Sequence, residues 1–195
     1  MTEQDAFVIA DEALGGVIDR IGDDQWTMPI PDWFLTGGSR ADLDLRAIVN
    51  YHAFDDAWVP DVLAGKTMAE VGDTFDGDLL GDDPRASFRA VVERATSAAR
   101  QLDDPDRVVH LSYGDFPAHE YLRHVVSFRG FRVYDIAKLI GEDTRMSDAL
   151  VDVLYEMVVP DIEQWRAIGV FPPAVEPPEG ADRQTRLLCL SGRQP

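Results

Sequence analysis

Apolar residues recur at intervals of three and four positions over most of this chain, and this spacing constrains the fold more than any other feature. It predicts helices over about residues 5–21, 41–64, 84–102, 118–140 and 147–168, each with one broad apolar face. Few segments alternate apolar and polar residues as strands do. Because each apolar face has to be buried against another, the pattern predicts an all-α helical bundle.

Capping and breaking residues place the predicted helix ends. Ser39 or Asp42 can cap the second helix, and Pro84 suits the first turn of the third. The fourth helix stops at Gly141, and Pro160 should kink the fifth.

The length of 195 residues predicts a single domain over residues 1–195, with a proline-rich extended segment at about 170–181. A formal net charge of −18 disfavours binding to nucleic acid and to anionic membranes. No stretch approaches the roughly 18 apolar residues of a membrane span, and the acidic N-terminus does not resemble a signal peptide. We therefore expect a soluble cytoplasmic protein that binds neither nucleic acid nor membrane.

The second predicted helix carries a candidate site. His52 lies on its apolar stripe, and Asp55 and Asp56 follow three and four residues later. Helical geometry places these side chains on nearly the same face. Such a set can bind a divalent metal or act as an acid–base pair. The alternative is a structural histidine that is hydrogen-bonded to a neighbouring aspartate.

The fourth predicted helix has arginines on its apolar side. Arg129 or Arg132 must approach the core, and a buried arginine needs a carboxylate partner. Asp135 is available three residues after Arg132. The alternative is an ion pair within the helix, with the arginine side chain extending to solvent.

Several segments together resemble a known family. They are DDQWTMPIPDW, LRAIVNYH, LAGKT followed by GDLLGDDPRASF, YGDFPAHEYL, DIAKLIG and RLLCLSGRQP. In this order and spacing they resemble the actinobacterial branch of the DinB-like superfamily, which includes the mycothiol-dependent maleylpyruvate isomerases. The resemblance implies a DinB-like up-down four-helix bundle, here with additional C-terminal helices.

The resemblance also implies a divalent metal, zinc or nickel, held by a histidine on the second helix and by a glutamate and a histidine on a later one. His52 matches the first ligand and Asp135 matches an aspartate of the later motif, which places Phe128 and Arg132 at the other two ligand positions. Neither side chain can coordinate a cation. Two of the three ligands are thus replaced, and we expect Arg132 to replace the metal charge, reaching Asp55 or Asp56. The alternative is that Arg132 faces a pocket and binds the carboxylate of a thiol cofactor or substrate.

Three functions remain open from the sequence. The first is a small-ligand-binding member of the family with a degraded metal site. The second is a metal- and mycothiol-dependent isomerase or transferase acting on a small electrophile. The third is an interaction protein, as a homodimer through helix faces. The candidate site residues are His52, Asp55, Asp56, Phe128, Arg132 and Asp135.

Overall fold

The computed structural model describes residues 1–34 and 43–195, and these residues are mostly helical. A two-stranded hairpin interrupts the helices, and none of the described helices is long and apolar enough to cross a membrane. The elements are α1 (Glu3–Ile18), α2 (Leu45–Leu63), α3 (Met68–Val71), α4 (Pro84–Arg100), β1 (Val108–Leu111), β2 (Gly114–Pro117), α5 (Ala118–Ile140), α6 (Asp148–Met157), α7 (Ile162–Ala167) and α8 (Arg183–Leu190).

Local signals in the sequence account for several helix ends. The predicted range of α5 is confirmed, and Gly141 ends the helix with a left-handed backbone at φ 76°. Pro84 lies in the first turn of α4, as expected. Helix α2 begins at Leu45, where the Asp44 side chain accepts a hydrogen bond from the Ala47 N–H. The other proposed caps, Ser39 and Asp42, lie outside the described residues.

The four longest helices form the centre of the molecule. Helix α1 packs against both α5 and α4, and α2 packs against α4. On the far side of α1 and α5 lies α6, which α8 covers in turn. Between α2 and α5, long polar and aromatic side chains make contacts across the interface. This interface contains the candidate site.

The segment before α5 folds as an antiparallel hairpin. Its register runs from Val108 opposite Pro117 to Leu111 opposite Gly114. Gly114 has a φ of 143°, which favours glycine over residues that carry a side chain. The hairpin contacts both α2 and α5, so it closes one end of the gap between these two helices.

The fifth predicted helix is broken rather than kinked. Helix α6 ends at Met157, a 3₁₀ turn covers Val159–Asp161, and α7 follows. Pro160 lies within this turn, where it has no N–H to donate and its ring obstructs a regular helix. The break redirects the chain, so that α7 and the residues after it reach the gap between α2 and α5.

The proline-rich segment forms neither helix nor strand over residues 172–178, and it is packed against the C-terminal region. The Val175 N–H donates to the Cys189 carbonyl at 2.9 Å, and Phe171 is buried. A Cβ at Gly192 would lie 2.4 Å from Pro172 Cγ. The close approach of these two segments therefore requires a glycine at position 192.

Candidate functional site

Arg129 joins three helices inside the bundle. Its side chain is 1% exposed, and its Nε donates to Asp11 Oδ1 of α1 at 2.9 Å and to Asp56 Oδ1 of α2 at 2.7 Å. Burial lowers the pKa of Arg129, but the carboxylates of Asp56 and Asp11 outweigh this effect, and the pKa is raised overall. Arg129 is thus a permanent cation held by two carboxylates.

The two carboxylates around Arg129 lie close together in the interior, and this proximity opposes the ionisation of both. Burial, followed by the charge of Asp56, raises the pKa of Asp11 well above its ordinary value. Burial also raises the pKa of Asp56, while Arg129 opposes that shift. Two adjacent buried carboxylates beside a single cation are costly to ionise together, so Asp11 and Asp56 titrate as a coupled pair.

Arg132 makes a second buried polar contact between α2 and α5. Its Nε donates to His52 Nε2 at 3.2 Å. Because a guanidinium always donates, His52 Nε2 is the acceptor and the ring proton is assigned to Nδ1. Nδ1 has no hydrogen-bond partner among the described residues. Burial, with the charges of Arg132 and Arg129, lowers the pKa of His52 well below its ordinary value, so this histidine is neutral at pH 7.

Asp135 connects α5 to the C-terminal residues. It accepts hydrogen bonds from Arg193 Nε at 2.8 Å and from Arg193 Nη2 at 2.7 Å. Arg132 also donates to Asp135, at 3.3 Å. A two-pronged arginine–carboxylate contact fixes orientation as well as charge. Asp135 therefore anchors the C-terminal segment on α5.

These side chains do not fit a divalent metal. The lone pair of His52 Nε2 already accepts a hydrogen bond from a permanent cation, Arg132. Phe128 packs at a tilt against the same imidazole, with ring centroids 5.1 Å apart. Within residues 1–34 and 43–195 no group of three histidine, cysteine or acidic side chains is arranged to hold a metal ion. A cation placed at His52 would be repelled by the adjacent guanidinium.

A cavity of about 710 Å³ lies beside this polar core. Its walls come from α2, the hairpin, α5 and the chain around α7, and most of the lining side chains are apolar or aromatic. Several of the exposed large apolar side chains of the described residues lie along this cavity, and few lie elsewhere on the described surface. The aromatic residues of the lining include Tyr51, Phe54, Trp58, Tyr113, Phe116 and Trp165.

One side of the cavity is a continuous aromatic wall, formed by Tyr113, Phe116, His124 and Trp165. The ring centroids of Phe116 and His124 are 5.2 Å apart, and those of His124 and Trp165 are 5.8 Å apart. Tyr113 packs on Phe116 at 5.4 Å. Burial lowers the pKa of His124, so its ring is uncharged at neutral pH. The aromatic wall thus offers several π faces and no fixed charge.

Asp55 is the exceptional side chain of the cavity. It is an acidic residue in a mainly apolar lining, and its carboxylate forms no hydrogen bond or ion pair with the described part of the chain. Burial raises its pKa to about 6, with Arg129 lowering it and Asp56 raising it. Above pH 6 this is an ionised group that faces the cavity with no partner among residues 1–34 and 43–195.

The six residues predicted for the site divide into two sets. Asp55 and Phe128 line the cavity. The other four are buried in the polar core beside it: His52, Asp56, Arg132 and Asp135.

The predicted pairing of Arg132 with Asp55 or Asp56 is wrong, because Arg129 binds Asp56 and Arg132 binds His52. Helices α2 and α5 are antiparallel here, so a residue one turn later in α2 lies beside a residue one turn earlier in α5. The pairs 52–132 and 56–129 follow from that register.

Sequence reasoning missed Asp11, Arg193 and the aromatic wall. Asp11 lies on the apolar face of α1, where a buried acidic residue is itself a signal. Arg193 lies beyond the last helix and carries no local signal. Comparison of the chain with known protein families, with curated proteins and with solved structures finds no match. The functional inference therefore depends on the geometry of the site.

Proposed function

We propose that this is a DinB-like helical-bundle protein that binds a small molecule in the cavity between α2 and α5. The observation that carries the proposal is the aromatic cavity of about 710 Å³. Ligand sites commonly have volumes of about 300–1,000 Å³, with apolar walls and a few polar groups. The lining has this character, since Asp55 is one of few charged groups among aromatic side chains.

The polar core supports a role without a metal. Arg129 and Arg132 supply permanent cations close to His52, the position at which the family resemblance places the first metal ligand. The contacts of Arg129 with α1 and α2 hold α5 in place beside α2, and α2 and α5 both form walls of the cavity. In this proposal the arginines stabilise the core in place of the metal, and the cavity binds the ligand.

A thiol-dependent isomerase or transferase is less well supported. A thiolate needs a nearby cation, but the one arginine of the described lining, Arg129, is already bound by Asp11 and Asp56. The ionised carboxylate of Asp55 in the lining would repel a thiolate. The residues therefore do not fit mycothiol in its reactive form.

The proposal is tested by titration with N-phenyl-1-naphthylamine, an uncharged fluorescent probe of apolar cavities. Trp58 and Trp165 line the cavity, so we expect saturable probe binding together with quenching of tryptophan fluorescence. Absence of saturable binding to the folded protein would contradict the proposal.

Two variants locate the binding. Val125 lines the cavity, and Val125→Trp should fill part of it and weaken probe binding. Val108 is exposed on β1 and does not line the cavity, so Val108→Trp should leave probe binding unchanged. Circular dichroism of both variants checks that they fold alike. Equal binding by both variants would place the probe elsewhere on the protein.

A further inference from the structure

We propose that the ligand of this cavity is an organic cation, an alkylated ammonium group attached to an apolar body, with Asp55 as its counter-ion. This inference rests on the proposed function, since it assumes that the cavity binds a ligand. It names the chemical class of that ligand from three features: the partnerless carboxylate, the local charge balance and the aromatic wall.

The first feature is a carboxylate placed in apolar surroundings. Asp55 lies on α2 beside Phe54 and Trp58, which share its cavity. No described side chain bonds its oxygens. An acidic group in such a position costs folding free energy, and this kind of local conflict is typical of functional sites. A bound cation would supply the missing partner.

The second feature is the charge balance around Asp55. Arg129 is the one permanent cation of the described lining, and Asp11 and Asp56 occupy its guanidinium. His124, on the opposite wall, is kept neutral by burial. Asp56 alone balances the single charge of Arg129, so an ionised Asp55 leaves the cavity with a net negative charge. The chain as a whole, at −18, also attracts cations.

The third feature is the supply of aromatic faces. The aromatic wall stands on one side, and Tyr51, Phe54 and Trp58 stand on the side of α2. Aromatic faces attract alkylated ammonium groups through the ring quadrupole while tolerating their apolar substituents. A metal ion would need more oxygen ligands than one carboxylate supplies, and an anion would be repelled by Asp55. An organic cation satisfies the carboxylate and the aromatic rings together.

The test compares benzyltrimethylammonium with neopentylbenzene, its uncharged carbon isostere. Each compound is titrated at pH 8 against wild-type protein loaded with N-phenyl-1-naphthylamine. We expect the cation to displace the probe with an affinity about tenfold higher than that of the isostere. Asp55→Asn should abolish this preference while leaving the affinity of the isostere unchanged.

Asp61→Asn is the matched control, since Asp61 lies on α2, pairs with Lys66 and does not line the cavity. This variant should keep the wild-type preference. If the probe binds but cation and isostere displace it equally, the inference fails and the proposed function stands. If the preference persists in Asp55→Asn, Asp55 is not the counter-ion and the inference fails. If neither the probe nor the cation binds, the proposed function fails as well.

Discussion

Two arginines three residues apart on α5 have different partners and different tasks. Arg129 binds the carboxylates of Asp11 and Asp56, and Arg132 binds the neutral imidazole of His52 together with Asp135. A buried charge is tolerated only beside partners of this kind. Removing one member leaves the remaining charge uncompensated in the protein interior, which solvates it poorly. Each contact can therefore be tested on its own.

A double-mutant cycle between Arg129→Lys and Asp56→Asn should give a coupling free energy of about 1–3 kcal/mol in urea unfolding, because the pair is fully buried. The cycle between Arg132→Lys and Asp56→Asn should give a smaller value. The exposed pair Arg100–Glu12 is the control, with about 0–1 kcal/mol expected. Larger coupling for Arg132 than for Arg129 would contradict the assigned pairing.

Asp55 should lower the free energy of unfolding above pH 6, where its carboxylate is ionised and can bind a cation. Its pKa is about 6 in the folded protein against an ordinary value of 3.8, so folding favours its protonated form. The stabilisation from proton uptake is complete below pH 3.8 and is lost as the pH rises through 6. Asp55→Asn avoids the cost of an ionised buried group.

We therefore expect Asp55→Asn to raise the free energy of unfolding by about 1–2 kcal/mol at pH 8, a value reduced from the full shift because Asp55 is partly solvated. At pH 4 the gain should nearly vanish. Urea unfolding at both pH values measures it, with Asp61→Asn as the control. A gain of equal size at pH 4 and pH 8 would refute the electrostatic explanation.

At the scale of elements, glycine positions distinguish helix packing from helix propensity. Gly130 lies within α5, and a Cβ there would meet Leu154 Cδ2 of α6 at 2.6 Å. Gly16 lies in α1 with nothing within 4 Å of the corresponding position. The first glycine permits close approach of two helices, whereas the second only weakens its own helix.

Gly130→Ala should therefore lower the free energy of unfolding by about 1–3 kcal/mol through overpacking. Gly16→Ala should raise it by about 0.5–1 kcal/mol through helix propensity alone. Thermal unfolding of the two variants measures both effects. A stabilising Gly130→Ala would show that α5 and α6 are less closely packed than described.

Helix ends that are set by capping or breaking residues can be predicted from the sequence. Features that depend on contacts between residues distant in the sequence cannot. Gly141 ends α5 because glycine adopts the left-handed conformation that it shows there, and Ser147 caps α6 through its own side chain. The sequence predicts a kink at Pro160, whereas the helix breaks there, because the outcome also depends on how α7 packs. For the site, helical spacing predicts that Arg129 or Arg132 approaches the core, and the structure buries both. Which partner each arginine binds depends on the register of α2 against α5. That register cannot be deduced from a single sequence.

At the scale of the whole molecule, the large negative charge has an uneven distribution. Many acidic residues pair with exposed arginines, as Asp78 does with Arg46, and these pairs contribute little to stability. The interior carries the consequential charges. There, arginine cations hold the polar core together, and Asp55 faces the cavity without an ion-pair partner in the described part of the chain. The molecule thus separates a structural polar core from a binding cavity.

The central claim is that arginine cations, and not a metal, hold the core beside the cavity. Elemental analysis of protein purified without a polyhistidine tag tests it most directly. We predict substoichiometric zinc, nickel and other transition metals in folded protein that still binds the uncharged probe. One equivalent of a transition metal per chain, lost in His52→Ala, would contradict the account.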